Sequence, residues 1–211
     1  MMQIKTQMFH VEHNSEAWFS LRLGKITASE LDNLITPKGK ISQSKGVQKY
    51  IYQKATEKLI SYKKEINGKA LDYGNEYEII AKQEYSFTFN KKITGGNFYY
   101  VEDLNFGASP DAVILENDKV TGVLEVKCPY EAPNHIQYIS EGGVPDIYKA
   151  QVQGQLLATG LEWCDFYSYH PNLKSFCVRV YRDEEYIETI CEAVADCNKK
   201  INKVIETYNK T

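Results

Sequence analysis

The chain has 211 residues, of which 43% are hydrophobic and 25% charged, with a formal net charge of −3. That length suits one domain, or one domain with a small appendage, and a chain this long buries roughly 70% of its unfolded surface without disulfides or a structural metal. Disorder, collagen and coiled-coil arrays are excluded, no apolar run approaches the roughly 20 residues that cross a bilayer, and the acidic balance argues against a protein that grips nucleic acid over its whole surface.

In chain order, Thr27-Ala28-Ser29-Glu30 reads as a capping box, with Leu31, Leu34 and Ile35 as the apolar stripe of a short helix. Val47, Tyr50, Ile51, Ala55, Leu59 and Tyr62 then recur at helical spacing and predict an amphipathic helix. Between positions 38 and 69 stand nine lysines against Glu57 and Glu65. Most of these lysines fall off the apolar stripe, either as a solvated face or as a local phosphate-binding surface. A third helix is predicted over about 71–85, with Tyr77, Ile80, Ala81 and Tyr85 on one side.

The period then changes. Residues 98–101, 112–115 and 120–126 are rich in β-formers, and Glu116-Asn117-Asp118-Lys119 between the last two is a turn signal. A helix is predicted over about 147–159, strands at 166–169 and 176–181, and a closing helix over about 184–208. This order predicts an α/β (α+β) fold, a mixed central β-sheet flanked by helices, with residues 1–211 as a single domain.

The chemistry concentrates in Gly107-Ala108-Ser109-Pro110-Asp111 and Leu124-Glu125-Val126-Lys127-Cys128-Pro129. A hairpin folded about Asp118 sets Asp111 opposite Glu125, with β-carbons about 5 Å apart. Glu125 and Lys127 share a face of one strand. Two carboxylates so close repel unless a cation lies between them, and Mg²⁺, which prefers oxygen ligands, is the natural candidate. The Val126 carbonyl offers a third oxygen. Lys127 is placed to orient or deprotonate a water, or to steady charge on a phosphate. A surface hairpin with a weak Glu–Lys pair is the bland alternative, disfavoured by Pro-Asp upstream and Cys-Pro directly after.

Several blocks together resemble the lambda exonuclease (YqaJ-type viral recombinase) family, within the Pro-Asp…(Asp/Glu)-x-Lys nuclease superfamily. They are Ala17-Trp18 with Leu21-Arg22-Leu23-Gly24, Ile26-Thr27-Ala28-Ser29-Glu30, and Lys69-Ala70-Leu71 with Gly74 and Tyr77-Glu78. The two catalytic segments above follow, and then Tyr148-Lys149-Ala150-Gln151-Val152-Gln153. The resemblance implies a restriction-endonuclease-like core and a metal site of Asp111, Glu125 and the Val126 carbonyl, with Glu78 assisting directly or through water. It implies two Mg²⁺ ions, with Mn²⁺ able to substitute, and Lys127 as the residue that activates the attacking water. It also implies a 5′-phosphate pocket of Arg22, Ser29, Ser109 and Gln151, and Leu71 as an apolar wedge that parts the terminal base pair.

The implied activity is Mg²⁺-dependent 5′→3′ exonuclease action on linear double-stranded DNA. It releases mononucleotides and leaves a 3′ overhang for recombination by strand annealing, with a homotrimer ring around DNA and a single-strand annealing protein as partner. A related endonuclease or distributive end-processing enzyme is the alternative, and a DNA-end-binding module without turnover is the third reading. His10, His13, His135 and His170 lack zinc-ligand spacing, so no zinc is expected. Cys128, Cys164, Cys177, Cys191 and Cys197 are scattered and expected as thiols, without an iron–sulfur cluster. No phosphate loop for ATP is present. The first residues carry no basic-then-apolar signal pattern, so the expected location is the cytoplasm of a bacterium or a phage-infected host cell.

Overall fold

Two sheets form where the sequence pattern predicts one. The structure, a computed structural model, describes residues 5–61 and 68–210. The smaller sheet holds β1 (Thr6–Phe9), β4 (Phe98–Val101), β5 (Phe106–Ala108) and β2 (Ile26–Thr27) side by side in that order. The larger has the order β3 (Lys92–Gly95), β6 (Ala112–Glu116), β7 (Lys119–Lys127), β8 (Trp163–Ser168) and β9 (Phe176–Tyr181). Only the β2–β5 and β7–β8 pairs are parallel, so both sheets are mixed. The parallel β7–β8 pair requires a crossover. It is made by α4 (Ala132–Glu141) and α5 (Asp146–Thr159).

Helix α5 is buried along most of its length and touches strands of both sheets, which gives it the central place in the fold. On one face of the larger sheet, Leu124 and Val126 pack with Ala81 and Tyr85 of α3 (Lys69–Phe89). On the other, Val123 packs with Val152 and Leu156 of α5. Alternation along β7 therefore turns Glu125 and Lys127 toward α5. The smaller sheet shares its core with α2 (Lys45–Ile60) and with α6 (Glu184–Tyr208), whose Ile187, Ile190, Val194 and Ile201 form the buried stripe.

Several local expectations change. The segment Ala28–Asn33 is a 3₁₀ helix, and Thr27 does not cap it. Its hydroxyl instead donates to the Glu30 carboxylate at 2.8 Å. Leu31, Leu34 and Ile35 are buried as the stripe requires. On α3, Ile80 is exposed, because the buried side is centred on Ala81 and Tyr85. On α2, Lys54 is not free to face a partner: it is only 1% exposed, locked between Glu57 and Glu30. The predicted helix residue Tyr62 and the charged Lys63, Lys64 and Glu65 lie outside the described residues. Among the described residues no helix is long and apolar enough to cross a membrane.

Candidate active site

The β6–β7 hairpin turns on Asn117 and Asp118, both with positive φ (51° and 60°), as a two-residue turn of the type that suits strand twist demands. Glu116 pairs with Lys119, and Leu115 with Val120. Thr121 is then an extra residue on β7, and beyond this bulge Ile114 pairs with Gly122 and Ala112 with Leu124. The shift brings Glu125 into the position opposite Asp111. Without the bulge Leu124 would stand there, and the site carboxylate would point to the wrong face. The backbone is also pressed close: a Cβ on Gly96 would fall 1.6 Å from the Pro110 carbonyl oxygen, so only glycine lets the chain after β3 pass beside Pro110-Asp111.

Glu125 is 1% exposed and fully engaged. Lys127 Nζ and Gln151 Nε2 donate to its Oε1, each at 2.5 Å, and Gln155 Nε2 donates to Oε2 at 2.5 Å. Gln151 and Gln155 lie one turn apart on α5, on the face turned to β7. Lys127 also lies 4.8 Å from the Tyr148 ring centroid. Burial would lower the Lys127 pKa, but Glu125 and then Asp111 outweigh it and hold the ammonium above its ordinary value.

Asp111 receives the Val126 amide on Oδ2 at 2.7 Å, which fixes the carboxyl at the end of the sheet. Burial, with Glu125 and Glu78 nearby, pushes its pKa well above the usual aspartate range. Glu78 comes from α3 and pairs with Lys82 one turn on, at 2.5 Å. Ligand atoms of Asp111, Glu78 and His13 lie within 4.8 Å of one another. Burial, and then Lys82, lowers the His13 pKa and favours the neutral ring. This crowding of carboxylates around a raised Asp111, beside a neutral imidazole, fits a divalent cation.

A second polar cluster adjoins the first through Ser109-Pro110-Asp111. Arg22 ends α1 (Glu16–Arg22) and is 8% exposed. Its Nη2 donates to Ser29 Oγ at 2.9 Å and Thr27 Oγ1 at 3.2 Å, and Nη1 reaches Ser109 Oγ at 3.4 Å. Trp18 lies beneath the guanidinium at 4.1 Å and donates through Nε1 to Ser109 Oγ at 2.9 Å. Among the described residues, Arg22 has no carboxylate at ion-pair distance, and its Nε has no hydrogen-bond partner. A buried cation held only by hydroxyls is prepared for an anion. Leu71 stands in the first turn of α3, 45% exposed.

The structure thus brings together Arg22, Ser29 and Ser109, and separately Asp111 and Glu78, with Glu125 and Lys127 alongside. Gln151 hydrogen-bonds Glu125, and the hydrogen bonds of Arg22 go to Ser29, Thr27 and Ser109 instead. Sequence reasoning missed Gln155, Trp18, Thr27 and His13 as site residues. The one-turn spacing of Gln151 and Gln155 was a usable signal for the first. No spacing rule marks His13, which meets Glu78 and Asp111 only through the fold.

The model of the YqaJ-like viral recombinase domain matches residues 17–162. The chain belongs to that family. An alkaline exonuclease (LHK-Exo) from Laribacter hongkongensis is 31% identical, with TM-score 0.82, covering 93% of this chain and 97% of that one. The same relative in complex with dAMP gives TM-score 0.83 at the same identity and coverage. A phage-related exonuclease from Haemophilus somnus 129PT shares the fold at TM-score 0.71 and 16% identity, covering 90% of this chain and 99% of that one. No curated protein sequence matches significantly. The family and the alkaline exonuclease relative support a nuclease function and the restriction-endonuclease-like exonuclease fold.

Proposed function

We propose that this family member is a divalent-cation-dependent 5′→3′ exonuclease on linear double-stranded DNA, with Mg²⁺ as the working ion. The observation that carries the reading is the junction at Ser109-Pro110-Asp111, where an unpaired buried Arg22 and a crowd of carboxylates stand side by side. One cluster suits a terminal phosphate and the other suits the ions that assist cleavage of the next linkage.

Asp111, Glu125, the Val126 carbonyl and Glu78 would hold the ions, two being the expected number, with Mn²⁺ able to replace Mg²⁺. A bound divalent ion would make water a better nucleophile and offset charge growing on the phosphate. Lys127, whose ammonium bonds Glu125, would orient the attacking water and steady the phosphate oxygens. Gln151 and Gln155 hold Glu125 so that its charged oxygens keep one orientation. Arg22, Ser29 and Ser109 would grip the 5′-phosphate, with Gln151 at the rim, and Leu71 would part the terminal pair. A homotrimer ring would retain DNA by enclosure, and the 3′ overhang would pass to a single-strand annealing protein.

Digestion of linear duplex labelled separately at each end, with Mg²⁺ or EDTA, tests the reading. The 5′ label should leave first, as mononucleotide, and only with Mg²⁺. First release of the 3′ label, or nicking of covalently closed circles, would favour the endonuclease or end-processing alternative.

The pocket has its own expected result. Arg22→Ala should erase a preference of about 10²-fold for 5′-phosphorylated over 5′-hydroxyl ends, the magnitude of a lost charge-assisted fork of hydrogen bonds. Parallel rates on both substrates measure it. Equal loss on both ends would mean that Arg22 serves the fold instead.

A further inference from the structure

We infer that His13 is a direct ligand of the cation, giving the site an imidazole nitrogen beside Asp111 and Glu78, and with it a preference for first-row transition ions over Mg²⁺. The inference deepens the proposed function and rests on its cation site.

Three observations carry it. The His13, Glu78 and Asp111 ligand atoms lie within 4.8 Å of one another. Two ligands of one ion, with bonds of about 2.0–2.2 Å, stand at most ~4.4 Å apart, so small side-chain rotations close the set. His13 Nε2 is buried without a hydrogen-bond partner. A buried ring nitrogen is ordinarily satisfied. The contrast within this protein is His135, whose Nδ1 and Nε2 meet Ser168 Oγ at 2.7 Å and the Lys174 carbonyl at 2.9 Å.

The third observation is placement. The His13 ring lies 5.4 Å from the Trp18 ring, and Trp18 is tied to Ser109 at 2.9 Å. The loop before α1 therefore carries the imidazole to the Pro110-Asp111 segment, and the element that holds Arg22 also delivers His13.

The chemistry then sets the ligand class. Mg²⁺ favours an all-oxygen shell, whereas imidazole favours first-row transition ions. An imidazole with two carboxylates still admits Mg²⁺ but tilts the balance toward Mn²⁺ and its neighbours. Lys82, paired with Glu78 at 2.5 Å, is the cation with which a bound ion would have to share that carboxylate.

The test uses the full chain loaded with Mn²⁺ as the paramagnetic probe. Pulsed electron paramagnetic resonance should show directly bound ¹⁴N, changed to ¹⁵N by selective histidine labelling and lost in His13→Gln. Calorimetry should show the Mn²⁺-over-Mg²⁺ affinity ratio falling about tenfold in that variant, as expected for loss of one ligand or its support. Circular dichroism checks that the variant is folded. If it is not, the labelled unaltered chain still decides whether a histidine binds.

Nitrogen coupling that survives His13→Gln, or Mn²⁺ bound without it in the unaltered chain, would overturn the inference and leave the nuclease reading standing. That reading fails separately, if neither Mg²⁺ nor Mn²⁺ restores cleavage after EDTA.

Discussion

Asp111→Asn is expected to slow cleavage of linear duplex by about 10³-fold or more, equivalent to ~4 kcal/mol of transition-state stabilisation. In EDTA the same variant should melt at a higher temperature than the unaltered chain. The two effects have one cause. Asp111 is a carboxyl raised by burial and by the neighbouring charges of Glu125 and Glu78, so it costs stability until a cation offsets it. A carboxyl with a raised folded pKa holds its proton longer when folded, so stability falls as pH climbs above the ordinary aspartate range. An amide has no such fall, and its oxygen can still accept the Val126 N–H, a bond of 2.7 Å in the unaltered chain. The proposed site predicts a thermal gain from Mg²⁺, as for any ligand that binds only the folded state, and that gain should vanish with the carboxylate. Cleavage rates and melting curves with and without Mg²⁺ measure all three. Unchanged cleavage, or a lower melting temperature in EDTA, would make Asp111 a structural residue.

Long periodic segments were readable because their pattern is set locally. Helix α6 and strands β4 and β9 fall where their apolar periods and β-formers place them. Strand β4 has only four residues but all are strong β-formers, whereas β1, β2, β3 and β5, of four, two, four and three residues, lack such a run, and their pairing is decided by distant partners. Helix α4 was hidden by Pro133, which sits in its first turn, where proline costs nothing. The pairing of Asp111 with Glu125 was legible for a reason the sequence alone did not contain. The two-residue turn centres half a residue before Asp118, and the extra Thr121 restores the register. Gln151 is expected beside Arg22 on a 5′-phosphate, whereas the structure hydrogen-bonds it to Glu125. His13 was illegible, since its meaning depends on α3 and the Pro-Asp loop arriving at the same point.

Lysine patterning misled at Lys54 for a physical reason, and replacing that residue has the second large expected effect. Periodicity assigns charge to the solvent side, but two carboxylates can carry a lysine into a core. Lys54 Nζ meets Glu57 at 2.9 Å and Glu30 at 3.0 Å. Glu57 also accepts the Gly24 amide at 3.0 Å, and Glu30 accepts Tyr50 OH at 3.2 Å and Thr27 Oγ1 at 2.8 Å. Lys54→Met keeps the stem but leaves the buried Glu57 and the partly buried Glu30 uncompensated, a loss of about 3–5 kcal/mol by urea denaturation. Burial would raise the Glu30 pKa, but Lys54 outweighs it and holds it below the ordinary value. In the unaltered chain that depressed carboxyl adds stability above the ordinary glutamate range, lost as pH falls through it. In Lys54→Met the sign reverses: the defect is deepest near neutral pH and shrinks in acid, where the carboxyls take protons. The consequence reaches the pocket, because Lys54 neutralises Glu30, which shares Thr27 with Arg22. Freed from Lys54, Glu30 would draw on Arg22 and weaken its hold on a 5′-phosphate. A stability loss under 1 kcal/mol, or a defect that grows in acid, would show that Lys54 does not hold this network.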